Sequence, residues 1–203
     1  MTGTATPDID AGTGMPAPDD DVVTLLMNQH GEIRNLFDEV EHSEGEERRT
    51  AFRRLVSLLA VHETAEEEVV HPYTRRVAEG GEQIADDRLE EERKAKEMLA
   101  DLDAMEPTDD QFMPKLEKLR AAVLEHARAE ERYEFAQLRR IHDEQALSTM
   151  ASAVKAAEAT APTRPHPGVE SGAKNLMLGP FAAVADRARD AIRKASGKKN
   201  QAD

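Results

Sequence analysis

The sequence predicts an all-α protein, an up-down-up-down four-helix bundle with extra helices on its C-terminal side. Three observations carry this. Ala, Leu, Glu and Arg, all good helix formers, dominate the middle of the chain. Aromatic residues make up only 3% and Trp is absent, which leaves little to fill a β-sandwich or barrel. Apolar residues recur at helical spacing in long segments separated by short turn signals. At 203 residues the chain supports one well-buried core with appendages rather than two full domains.

Residues 1–20 mix Thr, Gly, Pro and Asp without apolar periodicity and read as a disordered tail. Asp19, Asp20 and Asp21 supply an N-cap for a first helix running to about Glu41, with Val22, Leu25, Leu26, Ile33, Leu36, Phe37 and Val40 on its apolar face. Ser43 to Gly45 is a turn. The second helix carries Phe52, Leu55, Val56, Leu58, Leu59, Val69 and Val70, stops near Gly80 and Gly81, and has Pro72 as a candidate kink. A third is expected over about Gln83 to Met105, ending at Pro107. Thr108, Asp109 and Asp110 then cap a fourth, whose apolar face is Leu116, Leu119, Val123, Leu124, Phe135, Leu138 and Ile141. A shorter fifth helix over Glu144 to Ala159 completes a bundle unit at 21–159. A Pro-rich linker, 160–179, leads to a C-terminal segment, 180–203, with an amphipathic helix from about Pro180 to Ala195.

An internal repeat supports this division. HETAEEEVVHPYTRR from His62 aligns without gaps on HARAEERYEFAQLRR from His126, so the second and fourth helices correspond. The first and third align more weakly, Ile33 with Ala95, Leu36 with Met98, Phe37 with Leu99 and Val40 with Leu102. The bundle is thus two helical hairpins related by an approximate two-fold axis.

A net charge of −14 argues against nucleic acid as a partner, because phosphate binding needs a surplus of Lys and Arg on one face. No apolar run is long enough for a transmembrane segment, and the N-terminus lacks the order of a signal peptide, so a cytoplasmic protein is expected. The absence of cysteine excludes disulfides, iron–sulfur clusters and thiolate zinc sites, leaving His and carboxylates as metal donors. The last helix ends in Arg187, Arg189, Arg193 and Lys194. It suits docking on its own bundle or on a second copy in a homo-oligomer, with a membrane surface or another partner as the alternative.

His62 and Glu66 lie about 40° apart on one helical face, as do His126 and Glu130. Both pairs fall in or beside the apolar stripes, at equivalent places of the repeat, and His30 sits in the middle of the apolar face of the first helix. Burying such groups is costly unless each is paired or bound to metal. A surface i,i+4 pair explains one H-x3-E; it does not explain two in register with an inward His30. Tyr73 and Tyr133 return to the same faces under α-helical periodicity and are candidate phenol donors or near neighbours of a metal. His71 projects about half a turn away from His62 and aligns with Phe135, so it reads as a packing or surface histidine.

In order and spacing, residues from about Asp21 to His142 resemble the hemerythrin family of HHE cation-binding domains. QHGEIRNLFDEVE supplies the first His as His30, HETAE supplies His62 and Glu66, and HARAE supplies His126 and Glu130. The resemblance implies two iron ions with an oxo or hydroxo bridge, both H-x3-E carboxylates bridging them and the histidines capping them. The third helix departs from the pattern. LEEERKAKEML places Glu92 where the family has His, with Lys96 where the oxygen carriers have a second one. An exposed acidic face at Glu90, Glu91 and Glu92 would look the same. With Glu92 as ligand the site holds three histidines and three carboxylates, a harder set suited to ferric iron.

Two functions follow from the resemblance. In the first, the iron pair reacts with O2 or hydrogen peroxide, chiefly as a non-haem catalase that disproportionates peroxide. In the alternative, the bundle senses iron, oxygen or nitric oxide, or binds O2, without turnover, and the C-terminal helix reports its state.

Overall fold

A computed structural model of the chain describes residues 21–165. Among them there is no strand. The elements are α1 (Val22–His42), α2 (Gly45–Ala65), a π-helical turn π1 (Glu66–Val70), α3 (His71–Val77), α4 (Gly81–Asp103), α5 (Phe112–Ala129), a second π-helical turn π2 (Glu130–Phe135), α6 (Ala136–Ile141) and α7 (Glu144–Glu158). α2, π1 and α3 continue as one rod, as do α5, π2 and α6. With α1 and α4 they make the bundle: α1 packs on α2, α3 on α4, α4 on α5, and α5 back on α1, while α7 lies against α1, α2 and π1. The N-terminal tail, the C-terminal amphipathic helix and most of the Pro-rich linker fall outside the described residues. None of the described helices is long and apolar enough to cross a membrane.

Local chemistry sets the ends. The Asp21 carboxylate accepts from the backbone N–H groups of Val23 at 2.9 Å and Thr24 at 3.0 Å, satisfying two donors that the first turn of α1 leaves open. Asp143 caps α7 in the same way through Ala146, at 3.0 Å. The fourth rod starts later than the sequence suggests. Asp109 spends its side chain on the Gln111 N–H inside the preceding turn, and α5 begins at Phe112 without a side-chain cap. Between α3 and α4, Gly80 adopts a φ of +69°. At Gly81 a Cβ would fall 2.2 Å from the Thr74 carbonyl oxygen, so only glycine allows that approach.

The core is in two parts. One cluster gathers Ile33, Phe37, Leu55, Leu59, Leu99, Leu116 and Leu119 with their neighbours; the other joins Leu26, Val70, Phe135 and Leu138 to Met150 and Val154 of α7. Along three of the rods the acidic and imidazole side chains fall between residues of these two clusters. His30 lies between Leu26 and Ile33, His62 and Glu66 between Leu59 and Val69, and His126 and Glu130 between Val123 and Phe135. The bundle therefore carries a polar layer sealed at both ends by apolar packing, each fully buried leucine contributing about 1.5–3 kcal/mol.

Candidate metal centre

The structure brings His30, His62, Glu66, Glu92, His126 and Glu130 together, all buried. Their donor atoms form two groups, His30, His62, Glu66 and Glu130, and Glu66, Glu92, His126 and Glu130, with the atoms of each within 4.8 Å of one another. Glu66 and Glu130 belong to both. Glu130 faces the halves with different oxygens: Oε2 lies 3.3 Å from His30 Nε2, and Oε1 lies 3.3 Å from His126 Nε2. His62 Nε2 stands 3.2 Å from Glu66 Oε2. On α4, Glu92 is turned fully inward, whereas Glu90 is exposed in pairs with Arg93 and Lys94.

The reading of His71 as a packing or surface histidine is overturned. It is fully buried beside the second group, Nε2 2.6 Å from Glu92 Oε1 and 3.8 Å from Glu130 Oε1. The reason is π1. Uninterrupted α-helix, at about 100° per residue, would put His71 on the far side of the rod from His62. The residue inserted by a π turn sets everything after it back by about 100°, and His71 arrives beside Glu66. Proline is not the general cause, since π2 forms at the equivalent place with Ala136 where π1 has Pro72. The same change of pitch corrects the expectation for Tyr133, which is 50% exposed with the Arg132 guanidinium 5.3 Å from its ring centre. Tyr73 is buried in the α7-side cluster, its ring 5.3 Å from that of His142. At the place matching His71, Phe135 stacks on the His30 ring at 5.7 Å.

A ring of outer partners, unmarked by any sequence motif, orients the imidazoles. Nδ1 of His30 meets Glu131 at 3.0 Å, that of His62 meets Gln29 at 2.7 Å, that of His126 meets Glu91 at 3.0 Å, and that of His71 meets Glu134 at 3.1 Å. An Nδ1–H donated outward leaves the Nε2 lone pair for a cation. The weak alignment of the first and third helices, extended backwards, pairs His30 with Glu92 and Gln29 with Glu91. That was the available signal for two of these partners; nothing local marks Glu131 or Glu134.

The electrostatics are those of a crowded, buried cluster. Burial and the neighbouring His30 push His62 down to about 3, leaving a neutral imidazole. Burial and then Glu130 raise Glu66 well above the usual carboxylate range. Burial opposes the charge on His71, yet Glu134 and Glu92 raise its pKa well above that of free imidazole. Burial pushes Glu63, beside the centre, up to about 8. His30 Nε2, His126 Nε2, Glu92 Oε2 and both oxygens of Glu66 and Glu130 are buried and make no hydrogen bond. Each such atom costs about 1–3 kcal/mol. Inward-facing imidazole nitrogens and carboxylate oxygens without other partners are the donor set of a nitrogen- and oxygen-ligated cation, so the residues fit a metal.

A helical bundle with this inner layer defines a metal-binding class, and comparison with known proteins gives the family. The hemerythrin HHE cation-binding domain matches residues 21–138, and the chain belongs to that family. An uncharacterized hemerythrin-like protein of Schizosaccharomyces pombe is 26% identical over 172 residues, covering 83% of this chain and 85% of that protein. A DNA nickase of Nostoc sp. is 26% identical over 146 residues, 71% of this chain but only 41% of that protein. Among solved structures, a hemerythrin HHE cation-binding domain-containing protein from Mycobacterium kansasii shares the fold, with a TM-score of 0.59 at 16% identity, covering 83% of this chain and 98% of that one.

Proposed function

We propose that the protein holds two iron ions and reacts with hydrogen peroxide or O2, with disproportionation of peroxide as its principal activity. The observation that carries the dinuclear reading is Glu130, whose two oxygens face opposite halves of the donor cluster as a bridging carboxylate requires. His30 and His62 would hold one iron and His126, Glu92 and His71 the other, with Glu66 and Glu130 shared. His71 makes the set four imidazoles and three carboxylates, softer than Glu92 alone implies. Bound there, two adjacent irons supply the exchange of two electrons with a peroxide. The overall reaction converts two hydrogen peroxide molecules into one O2 and two waters; one gives up two electrons and two protons, and the other takes them.

The chain's own groups bury the centre and leave room beside it only for small ligands. A cavity of about 10 Å³, close to the room one water needs, is lined by Ile33, Leu59, Val123 and Leu124 beside His30, His62 and His126. The outer partners fix ring orientation. Protein from iron-supplied cells is expected to carry about two irons per chain, absorb in the near ultraviolet and evolve O2 from peroxide over many turnovers. One zinc and no iron rejects the centre. Two irons without sustained O2 evolution leaves sensing or O2 binding as the function, a reading favoured by the hydrogen-bonded link that runs from His62 through Gln29 to Glu158 of α7.

A further inference from the structure

The amide of Gln29 stands between α7 and the centre. Its Nε2 donates to Glu158 Oε1 at 2.5 Å, and its Oε1 faces His62 Nδ1 at 2.7 Å. An ionised carboxylate only accepts, so Glu158 fixes which way the amide points: nitrogen to α7, oxygen to His62. The group facing His62 Nδ1 is then an acceptor, which places the ring proton on Nδ1. Nε2, 3.2 Å from Glu66, keeps its lone pair.

His126, at the matching place in the repeat, is served differently. Its Nδ1 meets Glu91, which Arg88 of the same helix grips through Nε at 2.8 Å and Nη2 at 2.5 Å. Glu91 is an acceptor whichever way it turns. Gln29 is not: an amide presents oxygen or nitrogen according to its other partner. The half of the centre built on His62 therefore depends on a side chain at the end of α7, and the half built on His126 does not.

We propose that Glu158 is a positioning residue: through Gln29 it sets His62 in the tautomer that leaves Nε2 open to a metal, and so couples the fifth helix to one half of the centre. This rests on the reading of His62 as a metal ligand.

The test uses the full chain and two readouts. Fe(II) affinity is measured by competition with a chromophoric chelator, and the His62 ring proton is located in metal-free protein by long-range nitrogen–proton correlation, with His126 as internal reference. Glu158→Lys replaces an acceptor with a donor. It draws the Gln29 oxygen to itself, turns the NH2 toward His62 and moves the ring proton to Nε2. Fe(II) binding at that half is expected to weaken about 10- to 100-fold, the usual effect of losing an orienting partner, with His126 unchanged. Adding Gln29→Glu to Glu158→Lys supplies a carboxylate that accepts from both neighbours. It should return the proton to Nδ1 and affinity to within a few-fold of the parent. Glu158→Ala, which only removes the acceptor, should give a mixture of tautomers and a smaller loss.

If Glu158→Lys keeps the proton on Nδ1 and parental affinity, or if the double variant fails to restore either, the proposal is overturned. A parent that binds no iron overturns the di-iron reading instead, and the ring-proton readout still decides the role of Glu158.

Discussion

Nε2 of His71 lies 2.6 Å from Oε1 of Glu92, an imidazole just past one π-helical turn against a carboxylate of the neighbouring rod. On its other side Nδ1 meets Glu134, which comes from the second π-helical turn. His71 is thus held between a carboxylate of the adjacent rod, Glu92 on α4, and one from the rod diagonally across the bundle, Glu134 on π2. Removing it leaves Glu92 and Glu134 buried with less counter-charge, and breaking such pairs costs about 3–5 kcal/mol in metal-free protein. His71→Ala is expected to lower iron content from about two toward one per chain, as read by elemental analysis. The exposed His42, changed to Ala, should leave it at two. Equal content in both variants would remove His71 from the centre.

Metal should also stabilise the fold. With free metal at a thousand times its dissociation constant, linkage contributes about 4 kcal/mol, or roughly 10 °C in Tm for a chain of this size. Stripping the protein with a chelator should reverse that shift in a thermal scan followed by circular dichroism, and adding Fe(II) back should restore it. A stripped sample that melts where the loaded one does would be inconsistent with a buried centre.

The helices were legible because their faces repeat. Leu25, Leu26, Ile33, Leu36, Phe37 and Val40 mark the inner face of α1 from spacing alone, and Asp21 marks its start. His30, His62, Glu66, His126 and Glu130 were legible as a convergent set because they interrupt such faces in register. Periodicity failed where pitch changes. The same sum of about 100° per residue that aligned Glu66 with His62 sent His71 outward and drew Tyr133 in, because a π turn leaves no composition signal that tells it from α-helix. Gln29 and Glu158 illustrate a second limit. Their pairing spans the first and fifth helices, and nothing short of the packing of α7 on α1 brings them together.

Glu92 and Glu90 separate site from surface on one helix. Glu92 is fully buried and held by His71, while Glu90 is exposed and paired with Arg93. Glu92→Ala should lower iron retention on gel filtration and slow peroxide turnover, whereas Glu90→Ala should match the parent, since exposed pairs contribute about 0–1 kcal/mol. Glu92→His offers an imidazole at the same place and should keep both irons, with a shifted near-ultraviolet spectrum. Retention of iron and turnover by Glu92→Ala would mean that α4 gives the centre no carboxylate.

Asp21 tests how the fold is closed at the end of the bundle that α7 covers. Burial works to raise its pKa, but the Thr24 hydroxyl and backbone N–H, the Arg139 charge and the Val23 N–H hold it below the ordinary 3.8. A carboxylate depressed in the folded state contributes stability above its unfolded pKa, and that contribution is lost as pH falls through the lower folded value. Asp21→Ala removes the cap at every pH and should cost about 1 kcal/mol at pH 7, since Val23 and Thr24 lose their acceptor. Asp21→Asn keeps an acceptor but not the charge, so its smaller deficit at pH 7 should shrink toward zero between about pH 4 and pH 2, where the parent carboxylate takes up its proton. The comparison belongs in metal-free protein, by urea unfolding, so that acid release of metal does not enter. A deficit for Asp21→Asn that stays constant from pH 7 to pH 2 would show that the charge of Asp21 plays no part, and that the cap works through its hydrogen bonds alone.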